Sequence, residues 1–283
     1  MRRLILTMSC PDRVGVVAAV TGFVAEHDGW VLEAAQHGDL ETGTFFQRIE
    51  ILAEGFRLDL DTFGQHFASV ADAFGLDWHL TDSEARKRVV ICVSREGHCL
   101  VDLLHRWSTG DLHCDVVGVV SNHADLEELS ASYRVPFFCV PIPAEDRQEG
   151  FARFGRLLDD LRPDVVVLAR YMQIVPAAMC ERFAGRILNI HHSFLPSFAG
   201  ARPYHQAFAR GVKVIGATCH YVTADLDEGP IIEQDTFRIS HADTVEGLLR
   251  AGRDIERTVL ARGLRWHLED RVLLNGHKTV VFS

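Results

Sequence analysis

From Arg88 onward the chain alternates short, continuous runs of β-branched and other apolar residues with apolar stripes at helical spacing, and that alternation restricts it to few folds. The runs at 89–93, 116–120, 137–140, 165–168 and 187–190 leave almost no polar face. A strand apolar on both sides must be covered on both sides, which is the condition of a parallel sheet wrapped by helices. Between the runs, Leu100, Leu103, Leu104 and Trp107 share one helical face, as do Phe151, Phe154, Leu157 and Leu161. Runs at 213–222 and 231–238 extend the sheet, 244–262 reads as a long closing helix, and Asn275-Gly276 between two apolar runs is a hairpin turn.

The first eighty or so residues follow another rhythm. A strand at 2–9 leads through Pro11-Asp12-Arg13 into a helix with Val16, Val20, Phe23 and Val24 on one face, for which Asp12 is the expected N-cap. Strands at 30–37 and 44–52, a second helix carrying Phe63, Phe67, Val70 and Phe74, and a short strand at 76–80 complete the order βαββαβ. That order predicts a ferredoxin-like sandwich of four antiparallel strands under two helices. The segment 81–87 is polar and without periodicity, and the charge balance changes there: residues 1–84 hold 5 Lys and Arg against 14 Asp and Glu, residues 85–283 hold 24 against 25. The expected organisation is an α/β chain: a ferredoxin-like domain at 1–81, a linker at 82–87, and a mostly parallel, doubly wound α/β domain at 88–283.

The net charge of −10 speaks against a nucleic-acid or anionic-membrane partner, and no apolar run approaches the roughly 18 residues of a membrane span. The seven cysteines are odd in number and scattered, with no C-x-x-C pair and no metal-ligand spacing, so they read as reduced thiols of a cytoplasmic protein. The apolar stretch after Met1-Arg2-Arg3 is too short for a signal peptide and reads as the first strand.

Ligands of open parallel sheets bind beyond the carboxyl ends of the strands, so polar residues just after apolar runs are the candidates. One concentration is Asn189-Ile190-His191-His192-Ser193, where Asn189 and His191 stand two apart and therefore on one side of a strand. A second runs from Cys219 and His220 through Thr223, Asp225 and Asp227 to Gly229-Pro230, a strand end entering an acidic loop. Each residue alone has an ordinary structural reading as a turn cap, a packed ring or a solvated loop. Together they suit one carbonyl: an amide N–H and an imidazole donate to a developing oxyanion, while a carboxylate orients a water or the imidazole.

At these residues the sequence resembles the folate-dependent formyltransferase fold family, in Asn189-Ile190-His191, Ser193-Phe194-Leu195-Pro196-Ser197-Phe198, His220-Tyr221-Val222 and Asp227-Glu228-Gly229. The run His191-His192-Ser193-Phe194-Leu195-Pro196 and the extra front domain are similar to the deformylase branch, whereas glycinamide ribonucleotide transformylases typically carry His-Pro-Ser and lack that domain. Ser94-Arg95-Glu96-Gly97-His98-Cys99 is a poor phosphate cradle, which again sets it apart from the ribonucleotide-binding members. The resemblance implies hydrolysis of 10-formyltetrahydrofolate to formate and tetrahydrofolate, balancing the one-carbon pool and supplying formate for purine synthesis. Transfer of the formyl group to an amine acceptor is the alternative, and a non-catalytic folate or amino-acid sensor a third.

By the same resemblance Asn189, His191 and Asp227 are the catalytic residues. The segment with Tyr171, Met172, Gln173 and Val175, and the opposite wall with His220, Val222 and Thr223, bind substrate. No metal or redox cofactor is implied, tetrahydrofolate being the carrier. The front domain resembles an ACT module, which implies an amino-acid effector such as glycine or methionine at Asp12, Arg13 and Gly15, and a homo-oligomer.

Overall fold

A computed structural model describes residues 1–197 and 203–283, so Phe198 of the expected motif lies outside the described residues. The chain divides into two compact units. The first begins with β1 (Arg3–Pro11), α1 (Val16–Glu26), β2 (Trp30–Asp39), β3 (Thr44–Leu52), α2 (Leu60–Phe74) and β4 (Asp77–Asp82), the βαββαβ order read from the sequence. Its sheet has the antiparallel order β2-β3-β1-β4. Leu4, Leu6 and Met8 alternate inward along β1 and meet Val20 and Val24 of α1 and Phe63 and Phe67 of α2 in one core.

Asp12 is not the cap of α1. β1 continues to Pro11, the Asp12 N–H is taken by the Gly43 carbonyl at 2.8 Å, and Gly15 caps the helix with no side-chain hydrogen bond. Gly15 adopts φ +98°, a left-handed turn that swings the chain out of the strand and that a side chain would strain.

The second unit contains β5 (Lys87–Val93), α3 (His98–Ser108), β6 (Cys114–Ser121), α4 (Glu127–Ser132), β7 (Phe137–Cys139), α5 (Arg147–Leu161), β8 (Val165–Leu168), α6 (Ala177–Arg182), β9 (Ile187–His191), α7 (Pro203–Arg210), β10 (Val214–Tyr221), β11 (Ile231–Arg238) and α8 (Val245–Leu268). Its seven-stranded sheet has the order β11-β10-β9-β8-β5-β6-β7. The five strands from β9 to β7 are parallel, and β10 and β11 add antiparallel to the β9 side. The sheet is thus mixed. Val90, Cys92, Val166 and Leu168 pack against Phe151, Phe154 and Leu158 of α5 on one face.

α8 runs six residues past the expected 262. After it the chain closes in a hairpin of β12 (Val272–Asn275) and β13 (Lys278–Val281). Glu269–Asn275 and Val280–Ser283 belong to the first unit, with Met1–Arg86, while Gly276–Thr279 belongs to the second, with Lys87–Leu268. Within the first unit the hairpin segment is tied down by Arg48, buried on β3, which donates to the Glu269 and Asp270 carbonyls at 3.0 and 3.1 Å and to Glu50 at 2.8 Å. Of the seven cysteines only Cys139 is exposed. Among the described residues no helix is long and apolar enough to cross a membrane.

Candidate active site

β9 and β10 run antiparallel in a register that sets Asn189 opposite His220. Asn189 and His191 project from the same face of β9, two residues apart at its carboxyl end. Asp227 arrives from the loop after β10, which doubles back so that the Tyr221 N–H is held by the Pro230 carbonyl at 2.9 Å. Gly229 makes this return possible, since a Cβ there would fall on the Tyr221 carbonyl. Asp227 itself sits at φ +60°, in the left-handed region that Asp and Asn tolerate better than most residues.

The result is a compact polar set. Nδ1 of His191 lies 3.3 Å from the Asp227 carboxylate, and the ring is buried with its Nε2 unpartnered. The hydrogen bond from His191 holds the Asp227 carboxyl below the usual carboxylate range, against the opposing effect of burial, so the group is an anion at neutral pH.

His220 is of a different kind. Its Nδ1 lies 2.9 Å from the Tyr221 carbonyl, which can only accept, so Nδ1 carries the hydrogen. Burial pushes its pKa down and keeps the ring neutral, leaving Nε2 to accept from Nδ2 of Asn189 at 3.1 Å. This bond orients the Asn189 amide with its N–H₂ toward His220, and the second N–H of that group has no partner among the described residues.

The turn after β9 is pinned by Thr218 of β10, which lies opposite His191 in the ladder. Its hydroxyl donates to the Ser193 carbonyl at 2.9 Å and accepts from the Leu195 N–H at 3.0 Å. A buried hydroxyl thereby satisfies two loop backbone groups that would otherwise be stranded.

These residues line a cavity of about 580 Å³ within the second unit, a size suited to a drug-sized or cofactor-sized ligand. Every expected site residue of this unit is there: Asn189, His191 and Asp227; Tyr171, Met172, Gln173 and Val175; His220, Val222 and Thr223. They do not play equal parts. The Tyr171 ring is buried in the core and stacks on Phe154 at 5.9 Å, whereas Met172 is more than half exposed. The Met172 N–H donates to Ser94 Oγ at 2.9 Å and the Ile174 carbonyl accepts from Arg147 at 3.2 Å, so two backbone groups of this segment are already engaged. Asp12, Arg13 and Gly15 lie in the first unit, where the Arg13 guanidinium covers the Phe74 ring at 5.3 Å.

Residues the sequence reading did not single out as site residues close the cavity beyond His192. Glu256 of α8 is almost fully buried, accepts from His98 Nε2 at 2.8 Å and from the Tyr204 hydroxyl at 2.7 Å, and lies 3.5 Å from Nε of Arg170 in an ionic contact. Burial alone would raise its pKa, but the hydrogen bond from His98 and the charge of Arg170 prevail and hold it below the usual carboxylate range. His192 lies between the two polar sets, its ring centroid 5.1 Å from that of His191 and 6.2 Å from that of Tyr204. Burial, reinforced by the Arg170 charge, pushes His192 down to about 4. His98, Cys99 and Glu256 bring ligand-type atoms within 4.8 Å of one another, but this carboxylate already accepts from His98 and Tyr204 and faces the Arg170 guanidinium.

An open mixed α/β sheet with a ligand-sized cavity at the carboxyl ends of its central strands defines the class: a small-molecule α/β protein of the doubly wound type. A family model described as formyl transferase matches residues 87–264. The formyltetrahydrofolate deformylase of Bacillus subtilis is 48% identical over 98% of this chain and 93% of its own length. The crystal structure of a formyltetrahydrofolate deformylase from Pseudomonas syringae matches with a TM-score of 0.98 and 55% identity, covering 100% of this chain and 95% of that one. A glycinamide ribonucleotide transformylase from Symbiobacterium toebii matches with a TM-score of 0.67 and 33% identity, covering 70% of this chain and 95% of its own. The chain belongs to the formyl transferase family, in its formyltetrahydrofolate deformylase branch.

Proposed function

We propose that the protein hydrolyses 10-formyltetrahydrofolate to formate and tetrahydrofolate, with Asn189, His191 and Asp227 acting on the formyl group. The observation that carries this reading is the convergence of an anionic carboxylate, an imidazole with a free Nε2 and an amide with a free N–H in one cavity of a chain nearly half identical to a deformylase. Asp227 orients a water against the formyl carbon. As the new C–O bond forms, the Asn189 N–H and the His191 ring, held at Nδ1 by Asp227, stabilise the oxyanion. When the C–N10 bond breaks, N10 takes one of the water's protons, formate leaves as an anion and the remaining proton goes to solvent.

Folate is held between the segment with Tyr171, Met172, Gln173 and Val175 and the wall with His220, Val222 and Thr223, the backbone groups not spent on Ser94 and Arg147 meeting the pterin. The chemistry calls for no redox cofactor, because no step changes an oxidation state, and in this reading Asn189 and His191 supply the oxyanion stabilisation that a metal would otherwise give. The test is formate release from 10-formyltetrahydrofolate in amine-free buffer. One formate per folate consumed supports hydrolysis; consumption that requires an added amine would make the protein a transferase.

The first unit serves, in this reading, as an amino-acid-sensing ACT module that also joins copies of the chain into a homo-oligomer working in the cytoplasm. Support comes from its βαββαβ order and from Gly15, which leaves the first turn of α1 without a side-chain cap, so that backbone N–H groups there are open to a carboxylate. Glycine or methionine at Asp12, Arg13 and Gly15 should raise the melting temperature and change the turnover rate. If neither amino acid does either, the module does not sense them.

A further inference from the structure

The cavity has more polar equipment than the formyl group requires. Among the described residues six non-glycine residues adopt positive φ, and two of them, Asp227 and Arg170, line it. Arg170 sits at φ +65° two residues after the end of β8, a conformation natural to glycine and costing an arginine about 1 kcal/mol. The strained turn directs its guanidinium to the cavity wall, where the side chain is only 15% exposed.

Nothing described in the structure uses that guanidinium fully. Among the described residues its one ionic partner is Glu256, through Nε at 3.5 Å, and neither Nε nor Nη1, both shielded from solvent, has a hydrogen-bond acceptor. A buried guanidinium without acceptors is costly, and so common an economy as pairing it with the neighbouring carboxylate in fork geometry has not been adopted. Glu256 cannot supply more, because His98 and Tyr204 already occupy its oxygens at 2.8 and 2.7 Å. The chain from His191 through His192 and Tyr204 to Glu256 is a series of ring and hydrogen-bond contacts along one cavity, so Arg170 shares a chamber with the reacting residues.

A planar acceptor with two oxygens suits the free edge of a guanidinium. We propose that Arg170 forms a carboxylate subsite that takes up the formate released at His191 and Asp227, with Glu256 and its donors His98 and Tyr204 holding the guanidinium in place. The inference rests on hydrolysis as the reaction, since only hydrolysis leaves formate in the cavity. It assigns Glu256 a positioning role: the carboxylate restrains the guanidinium at Nε and leaves Nη1 without an acceptor among the described residues.

Formate binding can be read without turnover, by saturation transfer from the full-length protein to the formate proton. The native protein should give a saturable signal, and Arg170→Gly, which removes the guanidinium while relieving the backbone, should lower the apparent affinity at least tenfold. Arg170→Lys, which retains the charge without the fork, should fall between the two. In turnover assays the inhibition constant for formate should rise at least tenfold in Arg170→Gly. Equal formate signals in folded native and Arg170→Gly protein, or displacement of the native signal by equimolar chloride, would overturn the subsite. If Arg170→Gly does not fold, Arg170→Gln decides in the same two assays. A protein that binds formate through Arg170 yet releases none from 10-formyltetrahydrofolate would refute the hydrolytic reading and leave the subsite standing.

Discussion

Asn189 and His220 face each other across two antiparallel strands, and the amide donates to an imidazole whose other nitrogen is spent on the Tyr221 carbonyl. The pair fixes both orientations at once: the ring is kept neutral in the Nδ1–H tautomer, and the amide is turned so that one N–H remains free. His220 should therefore titrate below the ordinary histidine range, its nitrogen shifts staying those of a neutral ring to a lower pH than a free imidazole's. Asn189→Asp replaces the donor with an anion, and should both raise the His220 pKa and lower kcat by roughly 100-fold or more. A His220 that titrates normally in the native protein would contradict this assignment.

The Asp227 prediction separates charge from backbone. Asn accepts the left-handed conformation at φ +60° as readily as Asp, so Asp227→Asn should fold and bind folate normally while kcat falls roughly 100- to 10,000-fold. Asp227→Ala should lose as much activity and, in addition, some loop stability. Steady-state kinetics and a folate titration on the two variants test both statements.

Gly229 is a position where one methyl group should move the reacting carboxylate. Because its Cβ would collide with the Tyr221 carbonyl, Gly229→Ala must open the return of the loop that carries Asp227. The expected result is a loss of kcat with the far-ultraviolet spectrum of the sheet unchanged. Unchanged turnover would mean that the loop accommodates the methyl group without displacing Asp227.

Stability should decline on the acid side through two buried histidines. His192, pushed down to about 4 by burial and the Arg170 charge, and His220, lowered by burial, stay neutral in the fold and take up protons near pH 6.5 when unfolded. The unfolded state therefore binds more protons, and stability falls as the pH drops from about 6.5 toward 4. Asp227 adds to the loss only at lower pH, as its depressed carboxyl is protonated. Urea midpoints between pH 7.5 and 4.5 should follow this slope, and His192→Asn should flatten it.

In the first unit, Arg48 ties the hairpin segment to β3 from a buried position. Arg48→Ala strands the Glu269 and Asp270 carbonyls and leaves Glu50 to Arg3 at 2.6 Å and Arg271 at 3.8 Å. Loss of one partner of a buried pair costs about 3–5 kcal/mol, and the remaining Arg3 contact places the expectation at the lower end. Hydrogen exchange should report faster opening of Glu269–Asn275 in the variant.

Much of this architecture is written in apolar spacing. The strands at 44–52, 165–168 and 231–238 have the bounds their patterns predict, because burial on one or both faces leaves a mark on every residue. Asp12 misled as a cap because the preference of Asp for helix starts is local, whereas the continuation of β1 to Pro11 and the left-handed turn at Gly15 depend on pairing with β3. Glu256 escaped notice for a related reason. On a helix such as α8 a charged residue reads as solvent-facing, and only the approach of His98, Tyr204 and Arg170 from three other parts of the chain reveals that this one is inside. The positions of Asn189 and His191 were legible, since a strand of period two places them on one side; their coupling to His220 was not, because register is not written in either strand alone.

That register makes the site a matter of parity. Side chains alternate along β9 and β10, so a slip of a single residue between them would exchange His220 for Cys219 or Tyr221 opposite Asn189 and turn a functional row toward the wrong face. A single-residue insertion or deletion inside either strand should silence the protein, whereas paired insertions of two residues conserve the alternation. Evolutionary change in chain length across this region is accordingly expected to collect outside the two strands, with each strand keeping an unchanged residue count.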